Sequence, residues 1–146
     1  MNTEQRSLSQ RYILTQVGQQ KLAFAADWVL EIITFKRSQV LSLPFYNPMM
    51  LGVVYYRAKL VPLVDTSSIL KLMPSEGIKE TLMAVRLSRL TGELAGVGLL
   101  VDRAVGSLSR EQLVNYTEEP PIRVFQPEDF PSTIWQPQRE CSVEPA

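Results

Sequence analysis

Three aspartates at the ends of apolar segments are the residues whose type and position could support chemistry. Asp27, Asp65 and Asp102 each follow a run rich in aliphatic or aromatic side chains. A carboxylate after a buried strand, as in the run LVPLVD that ends at Asp65, is the arrangement of a phosphoacceptor in a receiver-type α/β domain. Such a domain also needs an acidic pair after its first strand and helices between successive strands, and the sequence provides neither. We therefore interpret these carboxylates as groups that close turns or cap short helices.

Residues for other kinds of catalysis are scarce. The chain contains no histidine, and its single cysteine is Cys141. Histidine is the commonest general base and metal ligand, so phosphohistidine chemistry is excluded and a zinc site with nitrogen and sulfur ligands is not expected. The glycines at 92, 96 and 98 do not have the G-x-G-x-x-G spacing of a phosphate-binding loop. A serine–lysine dyad is left open, but we predict that the protein is not an enzyme and uses no cofactor or metal.

The run GVVYYRAKLVPLVD, from Gly52 to Asp65, is the clearest structural signal. Two apolar, β-prone segments flank Arg57-Ala58-Lys59, and this spacing predicts a hairpin with Arg57 at its tip. Pro62 cannot donate to a β-ladder, so we expect an edge or a bulge at that position. A charged tip on a rigid support is a natural contact for another macromolecule. A solvated turn residue is the simpler interpretation of Arg57 taken alone.

The rest of the chain is typical of many short strands separated by turns, which indicates an all-β barrel or sandwich. Turn signals separate the strands, and Ser109 followed three residues later by Gln112 resembles a capping box that begins a short helix. A single helical turn is possible at residues 26–30 and another at residues 67–73. The predicted strands cover residues 12–17, 21–25, 28–35, 81–87 and 94–105, besides the two arms of the 52–65 hairpin.

The last 31 residues differ in composition from the rest, because six of the ten prolines lie there. We expect this tail, residues 116–146, to be extended or disordered. The residues expected to anchor it are the large apolar ones, Phe125, Phe130, Ile134 and Trp135. Residues 1–11 form a polar start that we predict to be disordered, which leaves residues 12–115 as the folded domain.

Composition indicates an ordinary globular domain. Fifteen basic and fifteen acidic residues balance, so no electrostatic footprint suggests nucleic acid or an anionic membrane. One cysteine cannot form an internal disulfide, which favours a cytoplasmic setting. No signal-peptide pattern and no apolar run of about 18 residues is present. We predict no direct membrane insertion, so that work at a membrane would depend on binding another protein.

A set of ordered motifs resembles the CheW-like family, the coupling proteins of bacterial chemotaxis. Val29-Leu30-Glu31-Ile32 is similar to the family's V-x-E-I, and Gly52-Val53 to its G-V. Arg57 with the following LVPL and Asp65 is similar to R-G-x-ϕ-ϕ-P-ϕ-x-D, where ϕ is apolar. The run GLLVD that ends at Asp102, with Val105 beyond it, is similar to G-ϕ-ϕ-V-D-x-V. Each motif is weak alone, but their order along residues 12–114 is specific.

The resemblance implies a fold and a set of partners. The expected fold is two intertwined, SH3-like, five-stranded barrels with short helices. The implied role is an adaptor that joins the cytoplasmic tip of a methyl-accepting receptor to a CheA-type histidine kinase, with cytoplasmic localisation and recruitment to membrane receptor arrays. The resemblance implies that the receptor tip binds in an apolar groove between the barrels, and that Val29, Arg57 and Leu82 have partner-binding roles at or near that groove. It places Glu31 near the kinase-facing surface.

Two departures from the family pattern lead to further expectations. Ala58 replaces the family's glycine, so a positive φ at this position would cost alanine about 1 kcal/mol. The region after residue 115 cannot supply the family's two final strands, which would leave one barrel incomplete. Open strand edges favour pairing with another chain, so a homo-oligomer such as a dimer is expected. A degenerate regulator that competes for receptor or kinase surfaces is the alternative function.

Overall fold

Nine strands form two curled sheets within residues 10–44, 47–73 and 77–135, the part of the chain that this computed structural model describes. One sheet has the order β8-β1-β2-β9 and the other the order β3-β6-β7-β5-β4. This architecture confirms the predicted all-β fold of the two-barrel type. The strands are β1 (Arg11–Val17), β2 (Gln20–Ala25), β3 (Val29–Lys36), β4 (Met50–Tyr56), β5 (Lys59–Val64), β6 (Thr81–Leu87), β7 (Gly98–Val101), β8 (Arg103–Ser109) and β9 (Arg123–Val124).

The helices are short and lie between strands. A 3-10 turn at Ala26–Trp28 precedes β3, within the range where a helical turn was left open. Helix α1 covers Thr66–Ile69, and helix α2 covers Arg110–Val114. Ser109 and Gln112 form the predicted capping box at the start of α2. The other 3-10 segments are Arg37–Gln39, Arg89–Leu94, Pro127–Asp129 and Ser132–Trp135.

Two hydrophobic clusters form the core, because alternate residues of a strand point to opposite faces. On β6, Val85 and Leu87 belong to the first cluster, while Ala84 belongs to the second. The first cluster also contains residues of β2 and of the C-terminal segment. The second lies on the inner face of the five-stranded sheet, where Ile33 and Val61 are fully buried. A single strand therefore contributes to both cores.

The predicted return strand over residues 94–105 is wrong as a continuous element. Residues 89–94 form a 3-10 segment, β7 begins only at Gly98, and β8 begins at Arg103 in the other sheet. The chain changes sheets at Asp102, whose carboxylate accepts a hydrogen bond from the amide of Gly18 at 2.7 Å. Gly98 is closely packed, since a Cβ there would lie 3.1–3.3 Å from side chains of Leu63, Ala84 and Val61.

The five-stranded sheet is closed by the segment that follows β3. Leu41 pairs with Val53 of β4 through two backbone hydrogen bonds of 2.8 and 2.9 Å. Gly52 has a φ of 150°, and a Cβ at this position would lie 2.2 Å from the carbonyl oxygen of Leu41. Only glycine permits this approach. The glycine of the Gly52-Val53 motif therefore lets the two outer strands of the sheet meet.

The four-stranded sheet is incomplete, as predicted. Among the described residues after β8, only the two-residue β9 joins a sheet, and it pairs in parallel with β2. On the other side, β8 pairs with β1 alone and its first five residues are exposed. The β1–β8 register skips Val105, which marks a bulge near this edge. Pairing of a second copy with this edge stays a prediction.

Aromatic side chains of the C-terminal segment pack into the first core cluster. Phe125 stacks on Phe24 with ring centroids 5.0 Å apart, and it contacts Trp28 edge-on at 5.5 Å. Phe130 lies 5.4 Å from Phe125. The buried Phe125, Phe130 and Ile134 confirm the predicted anchors, whereas the side chain of Trp135 lies outside the described residues. The predicted division at residues 11 and 115 stays a prediction, and residues 1–9, like Cys141, are also outside the described part.

Candidate partner-binding site

A tight turn places Arg57 at the tip of the β4–β5 hairpin. Tyr56 pairs with Lys59, so the turn has two central residues where the sequence had suggested three. Both central residues have positive φ, 49° for Arg57 and 65° for Ala58. This is the pattern of a type I′ hairpin turn, in which glycine, asparagine and aspartate are preferred. Ala58 therefore carries the strain that was predicted if its φ were positive.

The carboxylate of Glu31 lies between two arginines. Arg86 Nη1 donates a 2.8 Å hydrogen bond to Glu31 Oε2, and Arg57 Nη1 lies 3.8 Å from Glu31 Oε1. The side chain of Arg57 is 76% exposed, while those of Glu31 and Arg86 are 24% and 12% exposed. Arg57 also lies over the ring of Tyr56, with 5.2 Å between its guanidinium carbon and the ring centroid. One end of this cluster is therefore fixed inside the sheet and the other faces solvent.

Burial makes Arg86 dependent on Glu31. The Nε of Arg86 is buried and has no hydrogen-bond partner, a condition shared among the described residues only by the hydroxyl of Thr66. A buried guanidinium without a carboxylate carries a large desolvation cost. Sequence reasoning missed Arg86. The available signal was a lone cation in the apolar strand TLMAVRL opposite a lone carboxylate in WVLEIITF, since buried charges require partners.

The cluster brings together two of the four predicted site residues. Glu31 is on β3 and Arg57 follows β4, the two outer strands of the same sheet. Val29 lies two residues before Glu31, pairs with Leu87 across a bulge, and packs half-buried against the first core cluster. The predicted roles of these residues in partner binding stay predictions.

Leu82 lies away from the cluster, at the other end of the β3–β6 ladder. It pairs with Phe35, four residues along β6 from Arg86, which corresponds to about 14 Å of strand. Its half-buried side chain lines a cleft of about 230 Å³ between the two sheets. Val29, Glu31 and Arg57 are not among the residues that line this cleft. Val29 and Arg57, which were expected at or near the same groove as Leu82, therefore lie outside this cleft.

The cleft has an apolar floor and a charged rim. Leu51, Leu82 and Leu100 line it from the five-stranded sheet, and Val17 lines it from the other sheet. The charged residues of the lining are Arg37, Asp65, Lys79 and Asp102. Such a surface accepts the apolar stripe of a helix and pairs charges along its borders.

Asp65 and Asp102 line the same cleft, and each is held by contacts of its own. Asp65 accepts hydrogen bonds from Ser67 Oγ at 2.8 Å and Ser68 Oγ at 2.7 Å at the start of α1. Asp102 joins the Gly18 amide and lies 3.8 Å from the Nζ of Lys79. Both carboxylates have structural partners, but the side chain of Asp65, at the N-cap position of α1, accepts no hydrogen bond from the helix backbone, so the predicted capping is not seen there. Within the described ranges, no group of three or more histidine, cysteine, aspartate or glutamate residues is placed to hold a metal ion.

Comparison with known families identifies the domain. The sequence model of the CheW-like domain matches residues 11–118. The chain belongs to the CheW-like family. In this CheW-like domain the V-x-E-I motif supplies Glu31 to the arginine cluster, and the G-V motif supplies the glycine that permits closure against Leu41.

A solved structure supports the CheW-like fold. The crystal structure of the scaffolding protein TtCheW from Thermoanaerobacter tengcongensis is similar, with a TM-score of 0.54 and 13% sequence identity. The similarity covers 69% of this chain and 65% of that one, so it spans just under two thirds of TtCheW. No curated protein matches the sequence significantly. Among the helices of the described segments, none has the length and apolar character to cross a membrane.

Proposed function

We propose that this CheW-like domain is a non-enzymatic adaptor of a bacterial chemotaxis system, which couples a methyl-accepting receptor to a CheA-type histidine kinase. Membership of the family supports a scaffolding role. The observation that carries the proposal is the exposed Arg57 held beside Glu31 on a rigid hairpin. Arginine offers a planar set of donors to carboxylates and carbonyls of a partner.

The receptor contact is assigned to the cleft between the sheets. An amphipathic helix can lay its apolar face against a groove of aliphatic side chains, and Leu82 lies in such a groove. The charged rim residues Arg37 and Lys79 can pair with acidic residues at the edges of the helix. We assign the cytoplasmic tip of a methyl-accepting receptor to this surface.

The kinase contact is assigned to the Glu31–Arg57 end of the five-stranded sheet. The two residues come from different strands and are close enough to be covered by one partner. Val29 lies on the same strand as Glu31 and is half-buried, which leaves part of its side chain accessible. This arrangement supports a two-sided adaptor, which would act in the cytoplasm and reach membrane receptor arrays through its partners.

The incomplete four-stranded sheet favours a second candidate function. A domain that keeps one set of contacts and lacks another would compete with a complete coupling protein for receptor or kinase surfaces. The exposed start of β8 is the observation behind this alternative.

A titration separates the two functions. Increasing amounts of the full chain are added to fixed amounts of a receptor fragment and the histidine kinase of the same organism, and kinase autophosphorylation is measured. An adaptor raises receptor-dependent phosphorylation, and a competitor lowers it when a complete coupling protein is also present. Absence of binding to both receptor and kinase in a pull-down would contradict both functions.

A further inference from the structure

The outer face of the β4–β5 hairpin carries exposed apolar side chains that neither core cluster contains. Tyr55 and Leu60 are 65% and 63% exposed and are directly paired across the two strands. Leu41, at 59% exposure, pairs with Val53, which lies two residues before Tyr55 on the same strand. Residues two apart share a face of a strand. Leu41, Tyr55 and Leu60 therefore form a strip, which we call the outer hairpin patch.

The packing of the core does not require apolar side chains at the exposed positions of this patch. Tyr55 and Leu60 alternate with the buried Val54 and Val61, so the strands already place their other faces in the second core cluster. Exposed apolar residues that occur singly are normal, but a contiguous strip bordered by charge indicates an interaction surface. Tyrosine and arginine are also the residue types enriched among energetically dominant interface positions.

The charges of the hairpin restrict which kind of protein can bind the outer hairpin patch. From residue 50 to residue 64 the only charged residues are Arg57 and Lys59, both exposed cations. The one carboxylate near the tip, Glu31, is already hydrogen-bonded to Arg86. A second copy of the chain would bring two basic tips together, and like charges at an interface are costly. The partner of the hairpin is therefore expected to be a different protein, whose acidic residues can pair with Arg57 and Lys59.

We propose that the outer hairpin patch binds the kinase, through exposed aliphatic side chains of the kinase that are bordered by carboxylates. Tyr55, Leu60 and Leu41 take the apolar contacts, while Arg57 and Lys59 pair with the carboxylates. This inference rests on the proposed adaptor function, for which it adds the chemistry of the partner surface. It enlarges the site from Arg57 and Glu31 to the outer face of the hairpin.

The first experiment tests the chemistry without either proposed partner. The probes are two synthetic amphipathic peptides with the same leucine face, one bordered by glutamates and one by lysines. Backbone NMR shifts of the full chain are recorded during titration with each. We expect shifts centred on residues 41, 55, 57 and 60, and affinity about tenfold higher for the glutamate peptide, equivalent to about 1.4 kcal/mol. Equal affinities, or shifts elsewhere, overturn the proposal.

The second experiment uses the receptor fragment and the kinase as separate probes. The double variant Tyr55→Thr/Leu60→Thr keeps β-prone residues at exposed positions, so its fold is preserved, and Val114→Thr on α2 is the control at another exposed apolar residue. We expect the double variant to bind the kinase at least about tenfold more weakly and the receptor fragment normally, and the control to bind both normally.

The two experiments distinguish failure of the inference from failure of the adaptor function. Normal binding of the kinase by the double variant, or a loss of receptor binding alone, overturns the inference and leaves the adaptor function standing. An equal loss in the Val114→Thr control also overturns it. If the unmodified chain binds neither receptor nor kinase, the adaptor function fails, and the peptide titration still decides whether the patch has the proposed specificity.

Discussion

Arg57 Nη1 lies 3.8 Å from Glu31 Oε1, although Glu31 is on β3 and Arg57 follows β4, the two outer strands of the five-stranded sheet. The sheet must curl to bring its edges together, and the pairing of Leu41 with Val53 holds the same edges. The ion pair therefore marks the point where the sheet closes. Closure of the five-stranded sheet therefore also brings Glu31 and Arg57 of the candidate binding site together.

Reversing the charge of Arg57 is expected to separate binding from stability. Arg57→Glu removes the exposed cation and should lower recovery of kinase in a pull-down by about tenfold or more, since arginine is often a dominant interface residue. The free energy of unfolding should change by less than about 0.5 kcal/mol, because exposed ion pairs contribute little. Arg110→Glu, on α2, is the matched control. Normal partner recovery by Arg57→Glu would contradict the site assignment.

Removing the carboxylate of Glu31 is expected to destabilise the fold. Glu31→Ala leaves the guanidinium of Arg86 buried without a partner, which should cost about 3 kcal/mol in the free energy of unfolding. Urea denaturation measures this loss. The double variant Glu31→Ala/Arg86→Met should recover much of it, because the unpaired charge is gone. A double variant no more stable than Glu31→Ala would show that burial of Arg86 is not the cause.

Relieving the strained turn is expected to stabilise the protein. Ala58→Gly places glycine at a φ of 65°, which should raise the free energy of unfolding by about 1 kcal/mol. For a chain of this size, Tm should rise by about 2–4 °C. Ala95→Gly provides the control, since Ala95 has a φ of −53° and glycine there should lower Tm. If both substitutions act in the same direction, strain at Ala58 is not the explanation.

A side chain at Gly52 is expected to open the five-stranded sheet. The Cβ of Gly52→Ala would lie 2.2 Å from the backbone oxygen of Leu41, and a backbone atom cannot move aside cheaply. We expect a loss of about 2 kcal/mol or more in the free energy of unfolding. Hydrogen exchange should show faster exchange of the Leu41 and Val53 amides. Gly106→Ala, where a Cβ would meet no atom within 4 Å, should have a smaller effect.

Truncating Phe125 is expected to test whether the C-terminal segment is part of the core. Phe125→Ala removes a buried ring that contacts Phe24, Trp28 and Phe130, and the expected cost is about 3–5 kcal/mol. Thermal unfolding with near-UV circular dichroism measures both stability and aromatic packing. Val114→Ala, at an exposed position, should change the free energy of unfolding by less than about 0.5 kcal/mol. A small effect of Phe125→Ala would mean that the segment packs only weakly.

Local signals were sufficient for much of the fold. Apolar, β-prone runs bounded by turn residues predicted β1, β2, β6 and the β4–β5 hairpin, because these signals lie within each short segment. The predicted edge or bulge at Pro62 is only partly seen: β5 lies between β4 and β7 and Pro62 pairs with Val53, but pairing with β7 begins only at Leu63. The capping box at Ser109 is equally local. Such features can be predicted from a few neighbouring residues of the sequence.

The split of residues 94–105 could not be predicted in the same way. GLLVDRAV has continuous β propensity, and nothing local indicates that Val101 and Arg103 belong to different sheets. The change of sheet depends on Asp102 meeting the amide of Gly18, 84 residues away in the chain. The same limitation explains why Arg86 was missed, since its partner Glu31 is 55 residues away.

The sequence by itself determined the chemistry available to this protein: no histidine, no cluster of catalytic residues along the chain, a hairpin with Arg57 at its tip, and motifs of the CheW-like family. Tertiary structure decided which of those residues act together. It paired Glu31 with Arg57 and Arg86, separated Leu82 into the cleft, and packed Phe125 and its neighbours into the first core cluster. The reason is physical: residue types and local spacing fix what a segment can form, whereas burial of charge and apolar surface fixes which segments meet.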